Sequence, residues 1–199
     1  MKSMFLFFFL VLSANAFASN GRAYGLVNTA MTFIDNGRSD DSTSRIESEM
    51  EGEGYGVGAD YKINSPLDKV IFRGGFIYEF ERSAEQVTVV SDIGSDSSRN
   101  DVPKIQMTTV YGNAHLLISE NIALVGGLGY YLPKVDGKGS FSKYDIKAGA
   151  GYQFGLDFKL PDNFFVQIIK RRIVLDSKGV TYKGKADLSN LALLVGKEF

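Results

Sequence analysis

The chain has 199 residues, 44% of them apolar and 23% charged, with a formal net charge of −1, which suits one domain with a sizeable core and excludes a disordered chain or a miniprotein. Cysteine is absent, so disulfides, thiolate metal sites, thiol nucleophiles and the acylated cysteine of a lipoprotein are excluded, and the near-neutral charge leaves no nucleic-acid footprint. Twenty-two glycines, four prolines and 13% aromatics, all Tyr or Phe, favour many strands over a helical bundle.

The first element is an address. Met1-Lys2-Ser3 is a short basic start, Met4 to Leu12 is an unbroken apolar run, and Ser13-Ala14-Asn15-Ala16-Phe17-Ala18 supplies small residues spaced for cleavage. Residues 1–18 therefore read as a secretory signal peptide. Cleavage fits after Ala16 or Ala18, and the second leaves a polar Ser19-Asn20-Gly21 start. The run is too short to span a membrane as a helix, and no longer apolar stretch follows.

From there the apolar residues recur with a period of two, which places them on one face of successive strands. A noisy first strand is expected over 22–35. In the second, Tyr55, Val57, Ala59, Tyr61 and Ile63 alternate with Gly54, Gly56, Gly58, Asp60 and Lys62. In the third, Val70, Phe72, Gly74, Phe76, Tyr78 and Phe80 alternate with Ile71, Arg73, Gly75, Ile77, Glu79 and Glu81. The fourth, 104–118, has an ambiguous phase, because Met107 and Tyr111 share parity with Asn113 and His115; the favoured phase turns Asn113 and His115 to the polar side and Val110, Ala114 and Leu116 outward. A fifth follows at 122–132.

The sixth segment is the clearest. Tyr144, Ile146, Ala148, Ala150, Tyr152, Phe154, Leu156, Phe158 and Leu160 alternate with Asp145, Lys147, Gly149, Gly151, Gln153, Gly155, Asp157 and Lys159. The seventh, 164–175, ends in Lys170-Arg171-Arg172 as it leaves the apolar zone. In the eighth, Leu191, Leu193, Val195 and Phe199 face away from Asn190, Ala192, Leu194, Gly196 and Glu198.

Short turns are expected at 64–68, 119–121 and 161–163, built from Asn, Asp, Ser and Pro. Long polar loops are expected at 36–51, 83–103, 133–142 and 176–186. Four long and three short connections put every long loop at one end, the arrangement of a single-chain outer-membrane barrel with periplasmic turns and extracellular loops. The rival is a secreted lipocalin-like barrel, in which the large apolar side chains would line a cavity. The polar parity argues against it. Asp60, Lys62, Arg73, Glu79, Glu81, Asp145, Lys147, Asp157 and Lys159 mix opposite charges with glycines, as a crowded narrow lumen requires. Tyr55, Val57, Tyr61, Phe72, Phe76, Tyr152, Phe154, Leu156 and Phe158 are then the lipid-facing set. Tyr24, Tyr55, Tyr61, Tyr78, Tyr130, Tyr144 and Tyr152 lie near strand ends and fit interfacial girdles.

Signal peptide, eight amphipathic strands, loop rhythm and a C-terminal Phe199 together resemble the small eight-stranded outer-membrane β-barrels of Gram-negative bacteria, the OmpA/OmpX-like group. The resemblance implies residence in the outer membrane among its lipids and lipopolysaccharide, as a monomer. It also implies a final strand read by the barrel-assembly machinery through Phe199, Val195, Leu193 and Leu191. Lys197 departs from the family pattern, which has an aromatic or apolar residue there.

Catalytic signals are thin. His115 is the single histidine, and Ser119 stands too far along the strand to bond it directly, unlike the His-x-Ser pair of lipid A deacylases. The glycine runs 52–58 and 126–129 lack the pattern of a phosphate loop. Asp40, Asp41, Glu47, Glu49, Glu51 and Glu53 make the first loop acidic without the spacing of a calcium loop, and Lys178, Lys183 and Lys185 make the fourth basic. No cofactor, metal site or nucleic-acid partner is expected. The expected function is structural or surface-interacting, through lipopolysaccharide or host contact by the loops, with a plugged lumen. A narrow porin-like pore and a lipid A-modifying enzyme are the alternatives.

Overall fold

A computed structural model describes residues 20–28, 31–39, 42–50, 54–63, 67–83, 86–91, 94–98, 103–137, 143–179 and 183–199, with backbone alone in 31–39, 42–50, 86–91 and 94–98. The expected signal peptide, residues 1–18, lies outside the described residues. So do the side chains of the acidic first-loop group, Asp40 to Glu53.

Eight antiparallel strands close on themselves in the order β1 (Gly21–Asn28), β15 (Asn190–Glu198), β12 (Phe164–Arg172), β11 (Gly149–Lys159), β9 (Ile122–Asp136), β8 (Lys104–Leu117), β5 (Val70–Ser83) and β4 (Gly54–Ile63). First and last strands complete the ring, with Arg22 opposite Glu198 and Asn28 opposite Ala192. Closure leaves no free sheet edge, the condition for strands to cross lipid. No helix among the described residues is long and apolar enough to do so.

Alternation decides which side chains enter the ring. Tyr55, Tyr61, Phe72, Phe76, Tyr152 and Phe154 point outward and are exposed, while Val57, Leu156 and Phe158 lie outward and half-buried among their neighbours. Leu128, at 70% exposure, and Phe154, at 56%, mark this apolar belt. A lipocalin would hide such side chains inside, so the secreted-barrel alternative falls. On β15, Leu191, Leu193 and Val195 belong to the same outer face, and the Phe199 N–H donates to the Gly21 carbonyl at 2.9 Å. On β8, Asn113 and His115 are inside with Met107 and Tyr111, and no bulge interrupts the strand.

At one end the ring is stitched by tight turns. Residues 118–121 form a bend closed by the Ile118 N–H to the Ile122 carbonyl at 2.9 Å. In the turn Pro161–Asn163, Asp162 (φ 57°, ψ 28°) and Asn163 (φ 62°) adopt the left-handed conformation that Asp and Asn tolerate best.

At the other end the expected loops prove to be largely strands. β2 (Met31–Ser39), β3 (Ser42–Met50), β6 (Gln86–Ser91), β7 (Gly94–Ser98), β10 (Asp145–Ile146), β13 (Val174–Lys178) and β14 (Lys183–Asp187) join in a second sheet, ordered β10-β13-β14-β2-β3-β6-β7. The expected loops at 36–51, 83–103 and 176–186 are thus mostly hairpins, and β9 carries strand through Asp136 into the third, 133–142. Outside lipid a strand needs no apolar face, so its sequence lacks the alternation that marks a spanning strand. Beyond the Gly149–Tyr131 pairing, β9 is paired among the described residues on its β8 side only. Pro133, which has no N–H to offer, falls in that half-paired stretch.

Candidate lumen network and outer basic face

The barrel interior is layered rather than uniformly polar. Nearest the turns, Arg73 on β5 donates to Asp60 Oδ1 on β4 at 2.8 Å and also bonds Glu198 on β15. Arg22 on β1 reaches Glu198 Oε2 at 3.1 Å and Asp157 Oδ2 on β11 at 2.6 Å. His115 Nδ1 on β8 lies 2.9 Å from the same Asp157 oxygen. Since a carboxylate only accepts, that nitrogen carries the proton. The Arg22 guanidinium also stacks 4.3 Å above the Phe165 ring centroid, a contact that gains strength where water is excluded.

Above this layer a hydroxyl relay links charge to the middle of the lumen. Tyr111 donates to Asp60 Oδ2 at 2.9 Å, and the Tyr24 hydroxyl sits 2.6 Å from that of Tyr111. Tyr24 and Tyr111 pack with Leu26, Ile77, Phe165, Ile169, Ala192 and Leu194. Gly58 makes room here, because a Cβ at that position would come within 2.6 Å of Cε2, Cζ and the hydroxyl oxygen of Tyr24.

A second ionic layer follows. Arg171 on β12 is fully buried, at 0% exposure, and grips both oxygens of Glu79 on β5, at 2.7 and 3.0 Å. Two further bonds go to Asn28 Oδ1 on β1 at 2.8 Å and Asn190 Oδ1 on β15 at 2.9 Å. Asn28 in turn donates to Glu79, and Asn190 donates to the Leu188 carbonyl at 3.1 Å. The planar guanidinium fork suits this bidentate grip. Furthest from the turns, Ile105, Met107, Tyr131, Tyr144, Ile146, Ile173, Leu175, Ala186 and Leu188 form an apolar cluster.

Of the nine expected lumen residues, Asp60, Arg73, Glu79 and Asp157 meet in these layers, and Lys62 and Lys159 line the turn-side mouth. Three lie elsewhere. The pairing of β5 with β8 shifts between Glu79 and Arg82, and such a bulge reverses the parity that follows. Glu81 therefore faces out and pairs with Lys104 at 2.7 Å, while Arg82 turns in against Gly54. The sixth segment breaks phase at Lys147 and Ala148, between β10 and β11. Asp145 and Lys147 are consequently exposed, and Tyr144 and Ile146 are buried. Tyr24 and Tyr144 accordingly leave the expected girdle for the interior, whereas Tyr55, Tyr61, Tyr78, Tyr130 and Tyr152 stay outside.

Sequence reasoning missed Arg22, Asn28, Arg171 and Glu198. Parity held the signal for two of them: Glu198 alternates with Val195 and Leu193, and Arg171 shares the inward phase of Phe165, Gln167 and Ile169. His115 and Ser119 are not brought together, since His115 is spent on Asp157 while Ser119 sits exposed in the turn, accepting the Asn121 N–H at 3.3 Å. Among the described residues no cluster of three or more metal-binding side chains occurs.

A different surface carries the outward charge. Lys170, Arg172, Lys178, Lys183 and Lys185 on β12, β13 and β14, with Lys147 just after β10, are exposed, against Asp145, Asp176 and Asp187. Lys170 pairs across strands with Phe154 and Leu191, and Arg172 with Tyr152, so the basic face begins where the apolar belt ends. Arg172 bonds Asp187 at 2.6 Å and Lys185 bonds Asp176 at 2.5 Å. The Lys185 ammonium holds the Asp176 carboxyl below its ordinary range, so acidification would neutralise this aspartate only late and would then add to the positive excess.

A closed ring with an apolar exterior, an ion-paired interior and a charged rim defines a membrane-type β-barrel. The sequence matches the family described as "Outer membrane protein beta-barrel domain" over residues 4–199, and the chain belongs to that family, whose members reside in the outer membrane. Among solved structures it is similar to the outer membrane protein OprG from Pseudomonas aeruginosa (14% identity, 92% of this chain and 96% of that one, TM-score 0.61). It is similar also to Neisserial surface protein A (11%, 90% and 97%, 0.55) and to the outer membrane protease OmpT from Escherichia coli (8%, 92% and 98%, 0.51). At these identities the likeness concerns the fold. No curated protein sequence matches the chain.

Proposed function

We propose that this barrel is a plugged surface protein whose working face is the basic rim, where it holds the phosphate and carboxylate groups of lipopolysaccharide. The carrying observation is the continuity of Lys170 and Arg172 with the apolar belt of Tyr152, Phe154 and Leu191. An amphipathic anionic lipid has the same layout, acyl chains below and phosphates above. Lysine and arginine bind phosphate as point charge and fork respectively.

The lumen offers no comparable working face, since its arginines Arg22, Arg73 and Arg171 are each held by carboxylates of the barrel itself. An eight-stranded ring leaves an interior only wide enough for side chains, which favours a surface role over a pore. This reading needs no catalytic step. The loops and hairpins beyond the rim then serve contact with host or neighbouring surfaces, and Phe199, Val195, Leu193 and Leu191 serve assembly.

Charge reversal tests the lipid contact. Lys170→Glu with Arg172→Glu should lose the added thermal stability that lipopolysaccharide gives the protein over neutral phospholipid bilayers, while stability in the phospholipid stays within about 1 kcal/mol of wild type. An equal response of wild type and variant to lipopolysaccharide would contradict it.

A further inference from the structure

Outward charge on β12 and β13 is unevenly spread. Lys170, Arg172, Val174, Asp176 and Lys178 alternate with buried residues and form one exposed column that rises from the apolar belt into the second sheet. Within it Arg172 is neutralised by Asp187, and Asp176 by Lys185. Positive charge without an ion-pair partner among the described residues is left at two levels: Lys170, beside Phe154 and Leu191, and Lys178, further out on β13. Extended chain covers the interval between them in about 26 Å, and in barrels of this kind the long hairpins lie on the extracellular side.

The upper level is built of like charge. Lys178 on β13 stands directly opposite Lys183 on β14, and Arg38 holds the same register position on β2. Neighbouring strands lie about 4.8 Å apart, and like charges facing each other across a ladder destabilise it. Asp145, in register with Lys178 on β10, is exposed and forms no ion pair among the described residues, so one carboxylate stands beside three basic residues in that row. In the row nearer the belt, Asp176 faces Lys185 and the two satisfy each other. An anion supplied from outside the chain would offset the repulsion in the upper row.

We infer that Lys178 and Lys183 form a second anion site, which holds the phosphate and carboxylate groups on the core sugars of a lipopolysaccharide molecule whose lipid phosphates lie on Lys170 and Arg172. The inference rests on the reading of the basic rim given above. One molecule fits both levels: its acyl chains lie along the belt, its lipid phosphates meet the rim, and its anionic sugars continue outward along the column. A phospholipid carries charge at the first level only. Between the levels the column presents the neutral Val174 and the compensated Asp176, so no uncompensated carboxylate of the column interrupts the path.

Thermal unfolding of the folded protein in nanodiscs of neutral phospholipid tests it, with either bisphosphorylated lipid A or lipopolysaccharide bearing a phosphorylated core added in equal molar amount. Wild type should gain stability from lipid A and a further increment from the core-bearing form. Lys178→Gln with Lys183→Gln, checked for folding by heat-modifiable migration, should keep its ligand-free stability and the lipid A gain while losing the further increment. Lys178→Arg with Lys183→Arg should retain that increment, since the charge is kept. A double glutamine variant that answers the core-bearing lipid as wild type does, or a wild type that draws no increment from the core, would overturn the assignment. Failure of the rim reading shows separately, as no gain from lipid A alone, and the core increment with its loss in the variant still decides the upper site.

Discussion

Arg171 concentrates the energetics of the interior at one side chain. It is wholly buried, makes two bonds to Glu79 and one each to Asn28 and Asn190, and removing it strands a carboxylate in the lumen. Arg171→Met should cost about 3–5 kcal/mol of stability in urea titration from lipid vesicles, and adding Glu79→Leu should recover a large part, because the penalty comes from the unpaired charge rather than from loss of the pair's net worth. An additive double variant would contradict the network. Such residues were only partly legible beforehand. Asp60, Arg73, Glu79 and Asp157 follow from strict alternation, whereas Arg171 is masked by its neighbours Lys170 and Arg172, and Glu81 and Arg82 exchange sides at a bulge that leaves no mark in the sequence.

At the scale of elements, alternation carries most of the information, and it does so best where lipid enforces it. β4 and β15 run within a residue of their expected spans because one face must be apolar along its whole length, whereas β11 covers 149–159 of the expected 144–160. Phe154 lies outward on β11, registered with Gly126 and Lys170. Leu156, two residues further from the basic face and registered with Leu124 and Ile168, lies within the belt, and Leu156→Arg should destabilise the barrel by about 2–4 kcal/mol in the same urea titration. A change near zero would place the site outside the hydrocarbon. Beyond the membrane this constraint vanishes, which is why β2, β3, β6, β7, β13 and β14 read as polar loops while the backbone continues in strands. The break at Lys147 and Ala148 was hidden for a related reason: Tyr144 and Ile146 are apolar like the lipid-facing residues of their parity, yet they serve an interior cluster.

For the whole molecule, strand number, ring closure and the placement of tight turns at one end were readable from the spacing of apolar runs and turn residues. The layering inside was not, since Leu26, Ile77, Phe165 and Ile169 are apolar residues within the barrel, and composition cannot tell an inner apolar residue from an outer one. Stacked along the axis are a polar mouth, two ionic layers separated by an apolar one, and an apolar cap. On the proposed reading this stack plugs the barrel. The most direct measurement is current through a planar bilayer holding the folded protein beside its Glu79→Ala, Arg171→Ala variant. Wild type should stay silent while the variant, with the inner layer emptied, shows brief conducting steps; reproducible stepwise conductance from wild type would contradict a closed lumen.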